Sequence, residues 1–349
     1  MTSILIAATF SLLLVLLGTP AAIRVMRKKK YGQYIREDGP KAHFPKMGTP
    51  TMGGLVIIGG AVVGYLAAHV RPHGLRQFTA SGVIAMGTIV AMASLGFIDD
   101  YLKVTKKRSL GLNKTAKLAG QLLIALGFSM LSHYTQAQSQ VSFVRPLGLD
   151  LKVLFIAWIF IIIASASNGV NLADGLDGLA CGSGALVMGA YVVIAFWQTR
   201  HTCLVTHGPA CYVAPHSLDL AMVSASMLGA AAGFLWWNAA PAKIFMGDTG
   251  SLALGGAMAV LAILTNTQLL LIVLGGLYVV ELTSVVVQVV AFRVFKRRVF
   301  LMAPIHHHFE LREWPEFTVI VRFWILAGLS IAFGLGLFYA DFIARGGVG

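Results

Sequence analysis

The chain has 349 residues, of which 57% are hydrophobic and only 12% charged, and its mean hydropathy is +0.78. A charged fraction about half the ~25% of ordinary domains excludes a soluble globular protein. The formal net charge of +13 comes from 27 Lys and Arg against 14 Asp and Glu, and its distribution needs no nucleic acid partner to explain it. Apolar runs able to cross a hydrocarbon core of ~30 Å recur throughout. They predict about ten transmembrane helices, over 1–23, 51–69, 79–98, 115–132, 151–168, 180–198, 217–236, 251–265, 269–292 and 320–341. The runs are continuous and not alternating, which excludes a β-barrel. No linker has room for a soluble domain, so residues 1–349 read as one all-α polytopic integral membrane domain.

The first run ends at Gly18-Thr19-Pro20-Ala21-Ala22, small residues of the kind that precede a signal cleavage site. No positive residue precedes it, and Arg24, Arg27, Lys28, Lys29 and Lys30 follow it. This charge order predicts a transmembrane helix with its N-terminus outside. The loops after odd-numbered spans repeat the pattern. Residues 24–46, 99–117, 237–250 and 293–322 hold 21 of the 27 Lys and Arg. Those loops are therefore expected in the cytoplasm beside anionic headgroups, with both termini extracytoplasmic. Ten of the 14 carboxylates, Glu37, Asp38, Asp99, Asp100, Asp174, Asp177, Asp248, Glu310, Glu313 and Glu316, fall on the same side. Carboxylates contribute little to topology, so chemistry is a candidate cause.

The polar clusters follow in chain order. HFPKMGTPTMGG (43–54) offers Lys46 and Thr51 before the second span. GFIDDYLK (96–103) places Asp99 and Asp100 at the end of the third. Negative charge there opposes the helix dipole unless a cation compensates. Adjacent helical residues point ~100° apart, so one carboxylate is expected to face a ligand while the other supports it. SLGLNKTAKLAGQ (109–121) brings Lys114 and Lys117, either membrane anchors or phosphate contacts. In NGVNLADGLDGLA (168–180), Asn171, Asp174 and Asp177 recur every three residues between glycines. Such a turn either coordinates a cation or polar ligand, or caps the next helix. NAAPAKIFMGDTGSLALGG (238–256) sets Asp248 at the start of an apolar helix, as a plain N-cap or, with a metal, as part of a phosphate site. Glu281 and Gln288 share one face of the ninth run and either line a cavity or bond neighbouring elements. PIHHHFE (304–310) suits phosphate binding or loop ordering better than metal ligation, because consecutive imidazoles cannot converge on one ion. Cys181 reads as a core residue. Cys203 and Cys211 share a loop placed outside, where a disulfide is permitted; His201, His207 and His216 nearby leave a metal site conceivable.

Together the stretches HxxKxGTPTMGG, FIDDYLK, NLxDGLDGLA, FMGDTGSLALG and PIHHHFE resemble the phospho-N-acetylmuramoyl-pentapeptide transferases, in family order from His43 to Glu310. The resemblance implies transfer of the sugar phosphate from UDP-N-acetylmuramoyl-pentapeptide to undecaprenyl phosphate, giving lipid I and UMP, with Mg2+ required. It implies a homodimer in the bacterial inner membrane and an active site on the cytoplasmic face. Carried over, Asp248 would hold Mg2+ on the diphosphate. Asp99 would deprotonate or orient the lipid phosphate with Asp100 beside it, and Lys117 would bind the diphosphate. Asn171, Asp174, Asp177, Asn238 and Phe245 would form the nucleoside pocket, with Phe245 against the uracil. Lys46, Thr51 and Gln288 would line the adjoining cleft, and His306, His307 and His308 would close over the phosphates. The alternatives are a UDP-N-acetylhexosamine-1-phosphate transferase of the same superfamily and a secondary transporter. The crowding of polar residues on one side speaks against the transporter.

Overall fold

A computed structural model describes residues 1–347 apart from 30, 33–45, 72–73, 107, 109, 136–138 and 215. His43, Glu37 and Asp38 therefore lie outside the described residues. The chain is an all-α polytopic membrane protein. Its helices are α1 (Thr2–Lys28), α2 (Gly54–Ala67), α3 (Ala80–Thr105), α4 (Lys114–Ser132), α5 (Phe155–Ala173) and α6 (Leu179–Arg200). After these come α7 (Ser217–Asn238), α8 (Gly247–Leu264), α9 (Leu270–Leu274), α10 (Gly276–Phe295), α11 (Ile305–Glu310) and α12 (Glu316–Ala344). Two small antiparallel pairs, β1 (Val70–Arg71) with β2 (Gly74–Leu75) and β3 (Gln140–Ser142) with β4 (Pro146–Asp150), finish two of the connections.

Among the described residues nine helices are long and apolar enough to span a membrane. The predicted second span is shorter, because α2 has only 14 residues. The chain before it is taken up by another segment. Gly53 N donates to Phe245 O at 2.9 Å, Gly54 N to Met246 O at 2.8 Å, and Phe245 N to Pro50 O at 2.8 Å. Residues 50, 53 and 54 are thus bonded to 245–246, Met52 takes a left-handed φ of +68°, and the helix begins only at Gly54. The predicted ninth span is broken into α9 and α10 at the Gly275-Gly276 pair, two poor helix formers in succession.

α8 is the buried axis: all its residues after Gly247 are buried, and it packs on α3, α5 and α2. Its run of Gly, Ala and Ser lets neighbouring backbones approach, the usual basis of helix association in lipid. α1, α4, α10 and α12 bury only one side each and leave apolar flanks outward. At one end of the bundle Cys203 and Cys211 form a disulfide. The loop they close is tied down by Arg145, which bonds the carbonyls of Ala210 and Cys211 and pairs with Asp341 at 2.7 Å.

Candidate active site

The ends of α3, α4, α5 and α8, with the loops around residues 46–51, 174–177 and 302–307, enclose a cleft of ≈ 860 Å³. That is within the range of sites for small-molecule and nucleotide ligands. Its floor is acidic. Carboxylate oxygens of Asp99, Asp100 and Asp248 lie within 4.8 Å of one another, and the three residues are 1%, 3% and 8% exposed.

The two neighbours of the Asp-Asp pair differ in task. Asp100 turns to the start of α8. It accepts from Asp248 N at 3.0 Å, Thr249 N at 2.8 Å and Thr249 Oγ1 at 2.7 Å. A carboxylate from α3 thereby satisfies donors that the first turn of α8 leaves unpaired, where the dipole also favours negative charge. Asp248 is not the N-cap but sits in that first turn. Gly247 makes the arrangement possible: its φ is +72°, and a Cβ there would fall 2.6 Å from Asp100 Oδ2. Asp99 instead faces the cleft and accepts from Leu112 N at 2.9 Å.

Two lysines balance the cluster. Lys103 Nζ lies 2.6 Å from Asp99 Oδ2, 2.9 Å from Asp248 Oδ1 and 3.7 Å from Asp100 Oδ1. Lys117 pairs with Asp248 and lies 3.4 Å from Asp99 Oδ1. Lys114 and Lys117 sit in the first turn of α4, against its dipole. The Asn113 cap, accepting from Ala116 N at 2.6 Å, and the facing carboxylates compensate. Three carboxylates and two ammonium groups leave one net negative charge. The donors are all hard oxygens, which fits a divalent cation such as Mg2+ and not a soft metal.

Asn171 Nδ2 donates to Asp248 Oδ1 and Ser251 Oγ, each at 2.9 Å, and so orients the carboxylate. Asp174 opens into the cleft, where burial, then the nearby Asp248 and Asp100 carboxylates, push its carboxyl well above the usual range. Asp177 accepts from Ala242 N at 2.9 Å and from Lys46 Nζ at 2.8 Å. Glu316 of α12 joins them, 2.5 Å from Lys46 Nζ. Burial works against the Lys46 ammonium, but Asp177 and Glu316 outweigh it and hold its pKa above the ordinary lysine value. Thr51, Phe245 and His307 also line the cleft.

Four residues expected at the cleft are turned to other contacts. Gln288 spends its amide on the 299–300 loop, bonding Phe300 O, Val299 N and Phe300 N at 2.9–3.0 Å. Asn238 is buried and donates to Ile244 O at 3.0 Å, which folds the 238–244 loop. His308 Nδ1 accepts from Leu301 N at 3.1 Å. His306 is fully buried against Glu281, 3.0 Å away. Of the three histidines only His307 reaches the cleft, because successive residues of α11 face different directions. Sequence reasoning missed Lys103 as a site residue, although Asp99 and Lys103 at i and i+4 share a helix face. Thr249 and Glu316 carried no comparable local signal.

The chain matches the pattern of Glycosyl transferase family 4 over residues 82–266, more than half its length. That defines the class: a multi-pass membrane phosphosugar transferase. The particular family follows from full-length relatives. The chain is 54% identical to the phospho-N-acetylmuramoyl-pentapeptide-transferase of Frankia alni, over 99% of each chain. It is 49% identical to the enzyme of that name from Streptomyces griseus, over 99% of this chain and 100% of the relative. For that of Beutenbergia cavernae the identity is 48%, over 98% and 99%. The chain belongs to the phospho-N-acetylmuramoyl-pentapeptide-transferase family.

Proposed function

We propose that this protein transfers phospho-N-acetylmuramoyl-pentapeptide from its UDP-linked donor to undecaprenyl phosphate, forming lipid I and UMP for peptidoglycan synthesis. The observation that carries this reading is the convergence of Asp99, Asp100 and Asp248 with Lys103 and Lys117 on the floor of one cleft. Phosphoryl transfer needs positioning and charge neutralisation above all, and this cleft supplies both signs of charge at short range.

An oxygen of the lipid phosphate attacks the phosphorus that carries the sugar. The bond to the uridine-bearing phosphate breaks, and UMP leaves. Asp99, on the cleft floor between Lys103 and Lys117, takes the proton of the lipid phosphate or orients it. Lys117, with Lys103, balances charge on the phosphates. Asp100 holds α8 so that Asp248 faces the diphosphate. Phe245, Asn171, Asp174 and Asp177 border the uridine, with Lys46 and Thr51 beside them, and His307 stands over the phosphates. Mg2+ held by Asp248 together with Asp99 would neutralise the diphosphate and polarise the bond that breaks.

The protein acts as one catalytic domain in the bacterial inner membrane, with the cleft toward the cytoplasm and both termini outside. Support comes from the Lys and Arg of the odd-numbered loops, which border the cleft end of the bundle. A homodimer completes the proposal, and the outward apolar flanks of α1, α10 and α12 leave room for a second copy among the lipids.

The test is UMP release by the purified protein in detergent with undecaprenyl phosphate. It compares UDP-N-acetylmuramoyl-pentapeptide with UDP-N-acetylglucosamine, with and without a chelator. Release from the muramoyl donor alone, lost on chelation, restored by Mg2+ and lost in Asp248→Asn, is the expected result. Release from the hexosamine donor would overturn the substrate assignment, and undiminished release in chelator the metal.

A further inference from the structure

Glu281 lies within the membrane-spanning helix α10, fully buried. Its Oε1 lies 3.0 Å from His306 Nδ1, while Oε2 has no hydrogen-bond partner among the described residues. A carboxylate so buried and half-satisfied is costly, and apolar residues of similar size commonly replace such pairs without loss of stability. Stability alone therefore does not account for it.

His306 carries the contact onward. Its second nitrogen, Nε2, is buried and also lacks a partner among the described residues. That nitrogen faces Gly175, where an added Cβ would fall 2.6 Å from it. Gly175 is flanked by Asp174 and lies two residues before Asp177, both of which line the cleft. His306 is also the inward neighbour of His307. Their rings lie 4.1 Å apart, and His307 pairs with Glu310 at 2.6 Å while lining the cleft. α11 has only six residues, too few to hold a helix by itself.

We propose that Glu281 is a positioning residue of the transferase site. Its hydrogen bond locks the His306 ring between α10 and the Gly175 backbone, and this sets both the 174–177 wall and the approach of His307. Glu281 touches no substrate and acts through His306. The proposal rests on the transferase reading given above.

The experiment measures kcat/KM for UMP release from the full chain in detergent, with the melting temperature of each variant alongside. UMP release by the wild type tests the transferase reading itself, and the ratios of variants to wild type test Glu281. Glu281→Leu strands His306 Nδ1 and is expected to lower kcat/KM about tenfold or more with a fall of a few degrees in melting temperature, whereas replacing both partners by leucine should restore the melting temperature without restoring activity. His306→Leu should give a similar loss, and the double variant no further loss, because the two residues act as one unit. Glu281→Gln keeps an acceptor oxygen and should stay within about threefold of wild type. Full activity in Glu281→Leu, losses that multiply in the double variant, or a folded Glu281→Gln as impaired as the leucine would each overturn the proposal. Should Glu281→Leu not fold, Gly175→Ala decides. Its methyl displaces the His306 ring and should reproduce the loss, and a fully active Gly175→Ala would sink the idea.

Discussion

Replacing Asp100 by alanine separates its task from that of Asp99. The side chain accepts three hydrogen bonds from residues 248 and 249, at 2.7–3.0 Å, in a place 3% exposed. Asp100→Ala strands the buried N–H groups of Asp248 and Thr249 and the Thr249 hydroxyl. Each stranded buried donor costs roughly 1–3 kcal/mol, although losses within one network are not additive. Removing one of three clustered carboxylates relieves little repulsion, since Lys103 and Lys117 already neutralise two of the charges. The net loss is about 3 kcal/mol, worth roughly 5–10 °C in melting temperature at the usual few degrees per kcal/mol. Activity should fall with it, because Asp248 rides on the helix start that Asp100 holds. Asp99→Asn keeps an oxygen for Leu112 N, so it should lose UMP release with a much smaller change in melting. The assay is detergent-solubilised thermal unfolding beside UMP release for both variants. An Asp100→Ala protein melting within about a degree of wild type would refute the capping role, as would an Asp99→Asn protein that is the less stable of the two.

Other variants test the remaining parts. Lys103→Met leaves the three carboxylates with Lys117 alone, and UMP release should fall by about a hundredfold or more; near-normal turnover would remove Lys103 from the charge balance. Lys46→Met breaks the contacts to Asp177 and Glu316 and should cost about 1–3 kcal/mol at neutral pH. The folded pKa of Lys46 is raised above the ordinary lysine value, so the triad's stabilisation is full below that ordinary value and fades as pH rises through the folded pKa. Melting curves of wild type and Lys46→Met should therefore converge only in strong alkali, and a gap already closed at pH 9 would contradict this. The Cys203–Cys211 bridge spans eight positions, and Cys203→Ser with Cys211→Ser should cost about 2–3 kcal/mol by loop entropy. Thermal unfolding of wild type with and without reductant should reproduce that difference, leaving UMP release at low temperature unchanged.

Much of this protein was legible before any tertiary contact was known. Composition placed it in the bilayer, since helix spans announce themselves by local apolar runs. The five motif stretches carried Asp99, Asp100, Asp248, Asn171, Asp174, Asp177, Lys46, Thr51, Phe245 and His307, and the stretch 109–121 carried Lys117; all of them line the same cleft. Those residues are legible because polar side chains at helix ends have few reasons to cluster other than chemistry. Even the expectation that one aspartate of the pair serves a ligand while its neighbour supports it was a local inference from the helical repeat.

The assignment of tasks was not legible, because it depends on partners far apart in the chain. Asp100 caps α8 across 148 residues, and nothing in FIDDYLK distinguishes it from Asp99. Lys46 meets Glu316 across 270 residues, so Glu316 could be placed on the polar side of the membrane but not paired with Lys46. Gln288, Asn238 and His308 lie close to the right residues in sequence, yet each is drawn to a nearby backbone group. The length of α2 was likewise set by residues 245–246, which bond Pro50, Gly53 and Gly54 ahead of its first turn. Hydropathy and charge are properties of the local chain and survive in the sequence alone. Which buried donor finds which acceptor is decided only when the helices pack, because an unmet hydrogen bond away from water costs as much as a good contact supplies.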